Sequence, residues 1–151
     1  MSKAAEFLAD YGSYHRDVRN ELTHVVGIPA ILLSALMATA NVPLFAIGGV
    51  HVDLGWVVVA ALTAFYVSLN VTLGVAMGVV LVALQVLGVV AFGRSLWVAL
   101  GLFVGGWVLQ FVGHVWEGKR PAFTRNAIHL LIGPAWIVEK CLERLGVTVV
   151  R

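Results

Sequence analysis

Charge is scarce in this chain and cysteine nearly absent. Only 12% of the 151 residues are charged while 60% are hydrophobic, and the mean hydropathy is +0.95. A soluble domain is roughly a quarter charged and about half apolar, so a soluble fold is excluded and a polytopic membrane protein is indicated. No Ser- or Pro-rich stretch or shift in composition divides the chain, and residues 1–151 read as a single membrane domain. The lone cysteine, Cys141, rules out an internal disulfide and reads as a packing residue. Residues Met1 to Glu6 mix acid and base without an apolar stretch and small-residue cleavage site, so no secretory signal is expected and the first span should direct insertion. Nucleic acid is not implied by the net charge of +2 and pI near 9.0. The cations flank apolar runs, where membrane orientation and anionic lipid account for them.

Several signatures of chemistry are missing as well. No glycine-rich phosphate loop opens a helix, and neither a nucleophile elbow nor a Ser-His-Asp pattern is present. Acyl transfer is therefore unsupported. The expected spans carry no charge within them, which disfavours a proton relay or a metal transporter.

Long uncharged runs are what the chain does have. Residues 1–24 mix charges with Phe7, Leu8, Tyr11 and Tyr14, as suits one or two interfacial helices. Val25 to Val50 is free of charge and predicts a first span, with Pro29 at its tolerant start and Asn41-Val42-Pro43 ending or kinking it. Gly48 to Asp53 reads as a loop. Leu54 to Phe92 would make one helix of roughly 58 Å at 1.5 Å per residue, about twice a hydrocarbon core, so two spans are expected, folding back near Ser68–Gly74. Leu96 to Phe111 or slightly beyond predicts a fourth, with Gly101, Gly105 and Gly106 available for close helix approach. Ile128 to Val138 is apolar but short and contains Gly133-Pro134, which suggests a re-entrant or interfacial helix, and Cys141 to Arg151 should finish near the surface. The fold class is thus all-α, a membrane bundle of about four spans at residues 25–115 between interfacial segments at 1–24 and 116–151.

Lys3, Arg16 and Arg19 precede the first span, and Lys119, Arg120, Arg125, Lys140, Arg144 and Arg151 follow the fourth; Arg94 alone falls on the other side. The positive-inside rule then places both termini in the cytoplasm, in an inner membrane if the source is bacterial or the endoplasmic reticulum if eukaryotic. His15, His24, His114 and His129 lie on that same face, whereas His51 lies in the opposite loop and is assigned no role.

Several histidines without a second cysteine suit non-haem iron or zinc better than a thiolate site. His15 and His24 are nine residues apart and would point opposite ways on one straight helix, so sharing a metal requires a break between them. Gln110 and Glu117 flank His114 on one helical face. Glu117 is a candidate ligand, orienting acceptor or base, with a salt bridge to Lys119 or Arg120 as the competing role. Asn20 and Tyr11 lie one turn from His24 and His15, placed for supporting hydrogen bonds or for service as a cap and an interfacial aromatic. Arg120 and Arg125 are candidates to bind an anionic headgroup or simply to signal orientation.

In order and spacing these residues resemble the Mpo1-like family of membrane proteins over nearly the whole chain. Tyr14-His15, Asn20 and His24, then Gly27 and Pro29, resemble its first block; Gln110-Phe111-Val112-Gly113-His114, Glu117, Arg120-Pro121-Ala122 and Asn126 resemble its second, with Gly133-Pro134 beyond. The resemblance implies an Fe2+-dependent dioxygenase that uses O2 to shorten a 2-hydroxy fatty acid by one carbon, with release of carbon dioxide. It implies His15, His24 and His114 as iron ligands, and leaves His129, where some members have Gln, as a fourth ligand, an outer group or neither. Glu117 lies three residues after His114, where some members place it four away. Glu117 and Asn20 are the expected catalytic residues, Arg120 and Arg125 the expected contacts to substrate, and membrane lipid the surrounding partner. The alternative is a non-catalytic metal- or lipid-binding membrane protein using the same face.

Overall fold

A computed structural model describes residues 2–149 of the chain; Arg151, counted among the cations above, lies outside the described residues. Six α-helices dominate: α1 (Lys3–Gly12), α2 (Val18–Thr39), α3 (Leu54–Leu69), α4 (Val71–Val90), α5 (Leu96–Glu117) and α6 (His129–Arg144). A hairpin, β1 (Pro43–Ile47) with β2 (Val50–Asp53), joins α2 to α3, and a single 3₁₀ turn at Ala122–Thr124 lies between α5 and α6.

Three helices, α2, α4 and α5, are long and apolar enough to cross a membrane. The fourth apolar helix, α3, has 16 residues and measures about 24 Å. The outer faces are what a bilayer requires. On α5, Trp97, Leu100, Val104, Val108, Phe111 and Val115 form an exposed apolar stripe at helical spacing, a surface that water would penalise and lipid would not.

Several boundaries differ from the sequence expectation. Helix α2 begins at Val18, capped by Asp17, whose side chain accepts from the Arg19 amide. Its first turn therefore carries Arg19 and Glu21, and Pro29 lies deep in the helix rather than at its start. Charge-free sequence marks the lipid-facing length; the helix itself extends into the charged interface. Helix α2 stops at Thr39, so the end of the expected first span forms β1, whose residues are all exposed, and the expected loop at Gly48–Asp53 supplies the turn and β2. Helix α5 continues to Glu117, so His114 and Glu117 belong to the helix. Helix α6 runs unbroken through Gly133-Pro134 to Arg144.

Helices α3 and α4 meet at Asn70, whose side-chain oxygen caps α4 through the Leu73 amide. Buried Tyr66, Leu73, Met77 and Leu81 form the core with Ile132, Ala135 and Trp136 of α6. Helix α2 lies along α5, and there the glycines matter. A Cβ on Gly106 would sit 2.8 Å from the Gly27 carbonyl oxygen, and one on Gly27 would sit 2.6 Å from Gln110 Nε2. Gly101 and Gly105 face open space, so of the three expected contact glycines only Gly106 is used. Nearer the end of α5, a side chain on Gly113 would collide with Thr23 and Asn20 of α2. This close approach sets His114 beside His24.

Candidate metal centre

The break that His15 and His24 need lies between α1 and α2. Backbone after Gly12 leaves the helix, carries His15 through a short loop, and re-enters a helix at Val18. His15, His24 and His114 then converge. One ring nitrogen from each lies within 4.8 Å of the other two, and all three residues are buried. Ring centroids are 4.4 Å apart for His15 and His24 and 5.0 Å for each with His114.

Local hydrogen bonds set the ring orientations. His15 Nδ1 lies 2.8 Å from the Tyr11 carbonyl oxygen, and His24 Nδ1 lies 2.8 Å from that of Asn20. A carbonyl can only accept, so in the neutral ring Nδ1 carries the proton and Nε2 keeps a lone pair. His15 Nε2 and His114 Nδ1 are buried without a hydrogen-bond partner among the described residues. Burial pushes the His15 imidazole down to about 4, so it is neutral at neutral pH. The Tyr11 ring stacks on it at 4.2 Å. Neutral imidazoles with free lone pairs, oriented by backbone carbonyls, are what a divalent metal of intermediate softness takes. The donor set fits iron(II) or zinc.

The supporting residues do not all stand where the spacing alone suggests. The Glu117 carboxylate accepts from the Arg16 amide at 3.0 Å, the Asp17 amide at 2.8 Å and Asn20 Nδ2 at 3.1 Å. It clamps the His15 loop to α5 and lies outside the three-histidine group, and neither Lys119 nor Arg120 forms an ion pair with it among the described residues. Lys119 Nζ donates to the Ser13 carbonyl at 2.8 Å instead. Asn20, fully buried, also donates to the Tyr14 carbonyl at 3.3 Å.

His129 stands apart from the three-histidine group. Its Nδ1 faces the Ala122 carbonyl oxygen at 3.2 Å and its Nε2 faces an Asp10 carboxylate oxygen at 3.0 Å. Both neighbours are acceptors, and His129 is not among the three histidines whose ring nitrogens converge.

A cavity of about 70 Å³ opens at the cluster, lined by the four histidines with Tyr11, Gln110 and Phe123 among others. Two donors that spacing did not single out for substrate face this region. Trp107 and Gln110, the latter noted only for sharing a face with His114, line the cavity with Nε1 and Nε2 buried and unpartnered among the described residues. Trp107 is seven residues, and Gln110 four, before His114 on α5; that periodicity was the available signal. Arg120 and Arg125 line a separate open cleft of about 660 Å³ with Lys119 and Tyr14. Ala122 and Phe123, between these cations in sequence, line the histidine cavity. The arginines therefore flank the cavity without entering it.

His51 lies on β2, opposite Ala46 in the hairpin, at the far end of α2 from the cluster.

Comparison with known proteins agrees with the residue pattern. The model of the family described as 2-hydroxy-palmitic acid dioxygenase Mpo1-like matches residues 1–145. The 2-hydroxy-palmitic acid dioxygenase MPO1 of Saccharomyces cerevisiae is 33% identical over 146 residues, covering 92% of this chain and 79% of the yeast protein. No solved structure matches. Both blocks of histidines fall within the matched residues, and the chain belongs to the Mpo1-like family.

Proposed function

We propose that this protein is an iron(II)-dependent dioxygenase that shortens 2-hydroxy fatty acids by one carbon. The observation that carries the proposal is the buried group of His15, His24 and His114, with ring nitrogens at His15 and His114 that no described residue satisfies, in a chain of this family. The name of the yeast relative supports a long-chain 2-hydroxy acid as substrate.

The overall change balances without a reducing cosubstrate. A 2-hydroxy acid and dioxygen give the acid one carbon shorter, carbon dioxide and water, and the four electrons that dioxygen takes up all come from the substrate. When bound, ferrous iron supplies the one-electron chemistry by which dioxygen reacts with such a molecule. The remaining roles fall to this chain. His15, His24 and His114 hold the metal while the Tyr11 and Asn20 carbonyls fix two of their rings. Gln110 Nε2 and Trp107 Nε1 are donors for the oxygens of the acid. Arg120 and Arg125, in the cleft beside the cavity, attract the anionic head toward it. Glu117 and Asn20 are positioning residues, and His129 holds Asp10 and the Ala122 carbonyl rather than the metal.

An amphiphile rests with its head at the membrane boundary, and the topology that suits this has four crossings with both termini in the cytoplasm. Helix α3 supports the fourth crossing despite its length. Its first residue follows Asp53, which pairs with Arg94 in the turn between α4 and α5, while Tyr66 near its end donates to Leu131 of α6 on the histidine side.

Anaerobic loading with iron(II) tests the proposal. One iron per chain is expected, with oxygen uptake that depends on both iron and 2-hydroxypalmitic acid and is matched by carbon dioxide release. Protein that takes up no stoichiometric metal overturns it; protein that binds iron but consumes no oxygen is a metal-binding protein without this activity.

A further inference from the structure

The histidine cavity has an apolar continuation. Ile28, Leu32 and Pro134 line it and also line a groove of about 430 Å³ between α2, α4 and α6. Ala76, Val80 and Leu84 form one wall, a half-buried stripe at i, i+4 and i+8 on α4. Among the described residues no charged side chain lines the groove. From Ala76 to Leu84 the helix rises about 12 Å. Beyond Leu84 the groove is shut by the contact of α4 with α2: a Cβ on Gly88 would lie 2.7 Å from Met37 Cγ and 3.4 Å from Leu33 Cδ1. Leu84 itself packs against the buried cluster of Leu33, Met37 and Ala99. The histidine cavity thus leads into an uncharged groove of finite length.

We infer that this groove seats the alkyl chain of the acid whose head lies at the histidines, and that the Ala76–Val80–Leu84 stripe of α4 sets the chain length accepted. The inference rests on the histidine cavity being the site of oxidation. A groove merely filled by bilayer lipid would share its apolar lining but would show no dependence on a head bound in the cavity. Shared lining at Ile28, Leu32 and Pro134 connects the two spaces and favours one occupant for both.

Two measurements on the full chain in lipid nanodiscs test this. Val80→Trp fills the middle of the groove, and is expected to lower the ratio of turnover on 2-hydroxyhexadecanoic acid to that on 2-hydroxyoctanoic acid by about ten-fold or more. Val75→Trp, at an exposed position of α4 outside the groove, should leave the ratio unchanged. An unchanged ratio in Val80→Trp overturns the inference. The second measurement needs no substitution. Cys141, the single cysteine, lines the groove and is exposed, so 2-hydroxyhexadecanoic acid should slow its alkylation by a membrane-permeant maleimide, whereas 2-hydroxybutanoic acid and hexadecane should not. Equal protection by hexadecane, or none by the long acid, overturns the inference even if Val80→Trp does not fold. Wild-type protein inactive on every 2-hydroxy acid refutes the oxidation reading separately, because Cys141 protection reports occupancy without turnover.

Discussion

His15 sits in a loop and yet is buried, and the Glu117 clamp accounts for this. One carboxylate gathers two consecutive backbone amides and the Asn20 side chain, fixing the loop between α1 and α2 at the point where His15 must point inward. Glu117→Ala should leave metal binding possible but weaken it by about 10–100-fold, the usual effect of losing an outer-shell partner, as measured by competition with a chelator. Unchanged affinity would mean that the loop holds itself. His114→Ala should remove stoichiometric iron altogether. By contrast, His129→Ala should keep full iron occupancy by elemental analysis, since both of its ring nitrogens face other acceptors; loss of iron there would restore His129 as a ligand.

At the scale of elements, the cluster depends on how closely α2 and α5 cross. Gly106→Ala would drive a methyl toward the Gly27 carbonyl, and overpacking of this kind destabilises by about 1–3 kcal/mol. Gly105→Ala meets nothing within 4 Å and should be neutral or slightly stabilising. Thermal unfolding in detergent compares the two variants, and equal behaviour would show that the helices separate without penalty. The same crossing explains which features were legible in the sequence. The apolar runs marked out where α2, α3, α4 and α5 lie, and the nine-residue gap between His15 and His24 required the break now seen after Gly12. The ends of helices were less legible, because α2 and α6 continue into charged sequence where Glu21 bonds Lys140 at 2.6 Å. The hairpin was missed because turn-forming residues at Gly48-Gly49 specify a reversal without specifying paired strands. Spacing along α5 left Glu117 open as ligand, orienting acceptor or base, because it cannot reveal that the amides of Arg16 and Asp17 approach the carboxylate from the loop between α1 and α2. Trp107 and Gln110 were similarly hidden, since a side chain's role as a cavity donor depends on what the neighbouring helices leave unpaired.

Across the whole molecule, polar chemistry is concentrated at two ends separated by an apolar middle. Opposite the histidines, buried Asp53 pairs with Arg94 at 3.1 Å and accepts from Gln85 Nε2 at 3.0 Å. Arg94 also donates to the Ala40 carbonyl at 3.0 Å, and its own carbonyl accepts from Asn41 Nδ2 at 2.9 Å. One arginine therefore ties the end of α2, the start of α3 and the turn between α4 and α5. Arg94→Ala would leave the Asp53 carboxylate, 1% exposed, without its cation. Removing one partner of a buried pair destabilises by about 3–5 kcal/mol, and because the Arg94 side chain is partly exposed, about 2–3 kcal/mol is expected here. The unfolding midpoint in detergent should fall accordingly. Metal affinity measured well below that midpoint should stay as in the wild type, because none of Asp53, Gln85 or Arg94 lines the histidine cavity. A parallel loss of affinity would show that the tie at this end sets the spacing of α2 and α5 at the other, making the four apolar helices a single rigid unit rather than a stable base carrying an independently assembled site.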